Sequence, residues 1–122
     1  MTAFPTDSNF EELLGKIFYS AANADKVIKS EEIARFTDMI ADFWKEDYDA
    51  ISRSFFECIN LSYDTNNLMN EIKASKTLYP RMYNDVFIEL IMQTAYKIAA
   101  SSAGTNKSEI VFISQLRNQL EK

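Results

Sequence analysis

Residues 8–32, SNFEELLGKIFYSAANADKVIKSEE, decide the fold. Phe10, Leu13, Leu14, Ile17 and Ala21 recur at i, i+3, i+4, i+7 and i+11, the spacing of one helix face. Ser8 and Glu11 have capping-box spacing, so the pattern predicts a helix over about 8–22. A short polar stretch follows. Ser30 then stands as an N-cap, with Glu31 and Glu32 in the first turn of a second helix, where the helix dipole favours anions. The stretch therefore reads as helix, loop, helix.

The rest of the chain repeats this grammar. Ile33, Phe36, Ile40, Phe43 and Trp44 form the apolar face of the second helix, opposite Arg35, Asp38, Asp42 and Lys45. Tyr48, Ile51, Phe55 and Ile59 mark a third helix capped by Asp47. Asp64 or Thr65 caps a fourth, which carries Leu68, Met69 and Ile72. Thr77 to Tyr79 is read as a loop, because the residue before Pro80 avoids the helical region, and Pro80 suits the first turn of a fifth helix over about 80–101. That helix is apolar on more than one face, through Met82, Val86, Phe87, Leu90, Ile91, Ala95 and Ile98, widened by Ile88, Met92 and Tyr96. It is expected at the centre. Gly104 lies in the loop that ends it. Ser108 and Glu109 start a sixth helix carrying Phe112, Ile113, Leu116 and Leu120. Lys29-Ser30-Glu31 returns as Lys107-Ser108-Glu109, and Ala21-Ala22 as Ala99-Ala100, which suggests two similar helix–loop–helix units. The expectation is an all-α fold: a single compact bundle of about six helices in one domain over 1–122, with 1–7 as an N-terminal tail.

Composition narrows function mainly by exclusion. The chain has 122 residues, no histidine, one cysteine and two glycines, and a net charge of −5. Serine–histidine and cysteine–histidine catalysis, histidine metal sites and an internal disulfide all lack their parts. Catalysis is not expected. Cys58 lies beside the inward stripe of the third helix and reads as a buried structural thiol. The first residues lack a basic and apolar leader, and no apolar run approaches a membrane span of about 20 residues, so a cytoplasmic protein without membrane insertion is expected. An acidic chain without a Lys/Arg cluster is not expected to bind nucleic acid.

The first loop has the length and tail of a calcium loop. Asp25, Ile28 and Glu32 stand at the fifth, eighth and twelfth positions, but Ala21 holds the first and Lys26 replaces the turn glycine. The phrase Ala24-Asp25-Lys26-Val27-Ile28-Lys29-Ser30-Glu31-Glu32 resembles the ADGxIxxxE signature of the TerB-like (tellurite-resistance) helical domain. Ser102 to Glu109 stands where the second signature would be, with Ala103 in place of the aspartate. The resemblance spans about residues 10–120. It implies a non-enzymatic interaction or stress-response module that takes a divalent cation through loop carboxylates. Carried over residue by residue, the metal candidates are Asp25, Glu31, Glu32 and Glu109. The same domain also occurs beside J-domains in co-chaperones. A protein partner is expected, with Tyr79, Arg81 and Tyr83 around Pro80 as the candidate interface, since aromatics with a polar tip are enriched at interfaces. The alternative reading is a small acidic inhibitor or immunity-type protein that blocks a basic site on a partner.

Overall fold

The computed structural model describes residues 8–101 and 106–122. Among them it has six α-helices and no strand: α1 (Ser8–Ala22), α2 (Ser30–Phe43), α3 (Tyr48–Leu61), α4 (Leu68–Leu78), α5 (Asp85–Ala99) and α6 (Lys107–Glu121). Short 3₁₀ turns, Lys45–Asp47 and Thr65–Asn67, lead into α3 and α4. The proposed tail and the loop glycine Gly104 lie outside the described residues.

Helix α1 is the hub. It packs most extensively on α3 and also touches α2, α4, α5 and α6, while α5 reaches α1, α2 and α6. Close approach of α1 to α3 depends on Gly15. A Cβ built there would lie 2.4 Å from Ser54 Cβ and 2.9 Å from the Ile51 carbonyl oxygen, distances no real side chain tolerates. Ser54 uses the same proximity to donate its hydroxyl to the Glu12 carbonyl at 2.7 Å. The core is aromatic. Phe36 and Phe55 stack with centroids 3.8 Å apart, Phe18 and Trp44 lie at 5.8 Å, and Phe10 stacks on Phe87 at 5.5 Å. Trp44 carries one polar atom into this core and donates it to Thr94 Oγ1 at 3.1 Å, joining the end of α2 to α5.

Several boundaries differ from the sequence expectation. Helix α4 runs through Leu78, so Thr77 is helical, and Pro80 opens a tight turn closed by Met82 N–H to the Tyr79 carbonyl at 3.1 Å. Proline suits that second turn position. Helix α5 then starts at Asp85, because Asn84 Oδ1 accepts from Phe87 N–H at 2.9 Å and makes a stronger start than anything beside Pro80. Val86 and Tyr96, expected inside, are 82% and 51% exposed, as is Phe43 at 52%, because each lies just beyond the arc that its helix buries. Asp47 holds the N-cap position of α3, but its side chain makes no capping bond.

The two units are real, with a changed register. Ser8, Ala22 and Ser30, which bound the first unit's elements, correspond to Asp85, Ala99 and Lys107, a displacement of 77 residues each. The repeated letters are displaced by 78, one place off. In the structural register Lys29 pairs with Asn106 and Glu32 with Glu109.

Candidate functional site

The starts of α2 and α6 are built alike. At each, a glutamate in the third helical position turns back to the residue before the helix. Lys29 N–H donates to Glu32 Oε1 at 2.8 Å, and Asn106 N–H donates to Glu109 Oε1 at 2.9 Å. Asn106 completes a capping box, since its Oδ1 accepts from Glu109 N–H at 2.9 Å. Ser30 and Ser108, expected as caps, are instead the first residue of α2 and the second of α6. The glutamates set the register, because only a position three residues before each lets the carboxylate reach the orphan amide.

These two carboxylates are buried, Glu32 at 0% and Glu109 at 1% exposure. The residue that caps α6 also reaches the first loop. Asn106 Nδ2 donates to Asp25 Oδ2 at 3.1 Å, a bond between residues 81 apart in sequence. Asp25 also accepts from Val27 N–H at 3.1 Å and holds the Lys29 ammonium at 3.4 Å. Burial opposes the Asp25 charge, but these donors outweigh it and hold the carboxyl below its ordinary value. Lys29 is raised, chiefly by Asp25, with Glu32 and Glu109 adding to it. Glu32 goes the other way. Burial lifts its carboxyl, the negative charges of Asp25 and Glu109 lift it further, and the Lys29 amide and ammonium offset only part. Its Oε2 is buried with no hydrogen-bond partner.

The structure thus brings together Asp25, Glu32 and Glu109 of the four expected metal candidates. Glu31 is exposed and accepts from Ser30 Oγ at 3.0 Å instead. Two residues that the sequence reading left out complete the junction: Lys29 and Asn106. Their signal was present as Lys-x-x-Glu and Asn-x-x-Glu at the two helix starts. The donor set fits a metal ion poorly. Among the described residues no group of three or more histidine, cysteine or acidic side chains is arranged around one point, and most of these carboxylate oxygens already accept from the chain. The Lys29 ammonium is the cation of the junction.

The expected aromatic patch is not assembled. Tyr83 is 9% exposed, and its hydroxyl lies 2.7 Å from Ser75 Oγ. Tyr79 is half-buried and meets the ring of Phe10 edge-on at 5.8 Å. Only Arg81 is exposed. The turn at Pro80 thus points its tyrosines inward. Cys58 is buried, and burial pushes its thiol up to about 11. None of the described helices is long and apolar enough to cross a membrane. No protein-family model, curated protein or solved structure matches the chain.

Proposed function

We propose that the chain is a non-enzymatic, TerB-like interaction module of the stress-response kind, in which the junction of the two loops is the working site. The observation that carries this reading is the bond from Asn106 to Asp25, with Glu32 and Glu109 buried behind it. It joins two equivalent helix starts into one polar centre. Lys29 sets a tethered cation against Asp25 at the edge of that centre, so divalent ions bind weakly, with Glu32 Oε2 as the uncommitted oxygen.

Calorimetric titration with Ca²⁺, Mg²⁺, Mn²⁺ and Zn²⁺ tests the site. The parent, Asp25→Ala and Glu32→Ala are expected to bind no more tightly than about 1 mM, the weak end of the carboxylate-site range. Lys29→Gln, which leaves Asp25 without its ammonium and removes a cation near Glu32 and Glu109, is expected to gain at least about tenfold. Micromolar binding by the parent would overturn closure by Lys29.

The acidic-blocker reading has one observation in its favour: Asp38, Asp42, Glu46 and Asp49 are all exposed along the α2–α3 turn, outside both loops. Affinity capture from the native lysate separates the two. Loss of a captured partner with Asp25→Ala or Asn106→Ala supports the loop site. Loss only with Asp38→Lys and Asp42→Lys supports the blocker and overturns the first reading.

A further inference from the structure

The same region also forms a cleft of about 450 Å³ between the α1–α2 loop, the 3₁₀ turn before α4 and the start of α6. Its charge is unlike that of the molecule. The chain carries 18 acidic side chains, yet no carboxylate lines this cleft, whereas Lys26 and Lys107 both do. Neither lysine forms an ion pair among the described residues. The neighbouring acids are already engaged, Asp25 by Lys29 and Asn106, and Glu109 by the Asn106 amide. Positive charge thus lines the cleft while the acids nearby in sequence are bonded elsewhere.

The remaining lining extends the pattern. Lys107 and Ser108 are the first two residues of the fifteen-residue helix α6. The Asn106 cap occupies the amide of Glu109 but not those two, which belong to the donors a helix start leaves open. The Ser108 and Thr65 hydroxyls add donors. Beside them Met69 and Phe112 supply an apolar wall. Two ammoniums, open amides and hydroxyls next to an apolar surface suit a compact dianion attached to a flat organic body, and the volume lies in the range of small-molecule pockets.

We infer that this cleft binds a small organic phosphate monoester, with the phosphate held by Lys26, Lys107 and the first amides of α6 and the organic body on Met69 and Phe112. The inference stands apart from the reading of the carboxylate junction, since Asp25, Lys29, Glu32, Asn106 and Glu109 do not line the cleft.

Lys26 provides a clean test. Its φ is 73°, the left-handed region that glycine adopts without strain. Lys26→Gly therefore removes the ammonium while relaxing the backbone, so lost binding cannot be ascribed to lost folding. Nitrogen–proton shift mapping of the whole chain, titrated with adenosine 5′-monophosphate, inorganic phosphate and adenosine, reads the site. The nucleotide is expected to shift residues 20–26, 65–69 and 107–115, and to bind at least about tenfold more tightly than either fragment. Lys26→Gly with Lys107→Gln is expected to weaken it at least about tenfold, with a thermal midpoint no lower than the parent's. Shifts outside these segments, no saturation at millimolar nucleotide, unchanged affinity in the double variant, or equal affinity for adenosine or inorganic phosphate would each overturn the proposal.

Discussion

Glu32 and Asp25 both bond to Lys29, one at its backbone amide and the other at its ammonium, yet they answer pH in opposite directions. Burial raises the Glu32 carboxyl, so its charged form costs the native state stability, and that cost appears as pH rises from the ordinary glutamate value through the raised one. Glu32→Gln keeps an acceptor for the Lys29 amide and removes the buried charge. It is expected to stabilise the chain at pH 7 by about 1 kcal/mol, with the gain vanishing near pH 4. Asp25 is held below its ordinary value, so its contribution is present above that value and is lost as pH falls. Asp25→Asn is expected to be less stable than the parent at pH 7, by roughly 1 kcal/mol or less, and equal to it in acid. Urea unfolding of both variants across pH 3–8 checks the pair, and parallel profiles would refute it. Gly15 makes a steric statement at the same scale. Gly15→Ala forces a methyl group into Ser54 and the Ile51 carbonyl and is expected to cost about 1–3 kcal/mol in urea unfolding, although alanine is the better helix former. The sequence showed that a glycine sat inside a helix. Ser54, its partner, lies 39 places away and left no local mark.

At the scale of the element, helix starts carry the lesson. Serine followed by acidic residues reads as a cap, and that rule picks out Ser30 and Ser108. The structure starts both helices earlier, because a glutamate that is to be buried must reach back three residues to an amide. Stability measurements distinguish the two registers. Asn106→Ala removes both the α6 cap and the bridge to Asp25 and is expected to cost about 1–2 kcal/mol, whereas Ser108→Ala is expected to stay within about 0.5 kcal/mol. The start of α5 follows the same logic. Proline is tolerated in a first helical turn, but it also fits a tight turn, and Asn84 downstream offers a hydrogen bond that Pro80 does not. Local propensity permitted both outcomes, and the side-chain acceptor decided between them.

In the whole molecule, α1 and α5 are equivalent helices of two units, and they touch each other at the centre. Native-state hydrogen exchange is expected to be slowest in the buried segments 13–22 and 87–99. It is expected to be faster in α4, which contributes fewer buried side chains, Leu68, Ile72 and Ser75. Slowest exchange in α4 would contradict this hierarchy. The sequence by itself determined the helical class, the approximate number of helices and the inward stripes, because a 3.6-residue period and cap chemistry act over a few residues. It also flagged the two-unit plan, one residue out of register, since identical letters need not be equivalent positions. Only the tertiary structure decided which polar groups meet. It set Lys29 among Asp25, Glu32 and Glu109, left Glu31 in solvent, and turned Lys26 and Lys107 onto a shared cleft. Those meetings depend on how two loops about 80 residues apart are brought together by α1 packing on α3 and α5, a distance over which no sequence pattern acts.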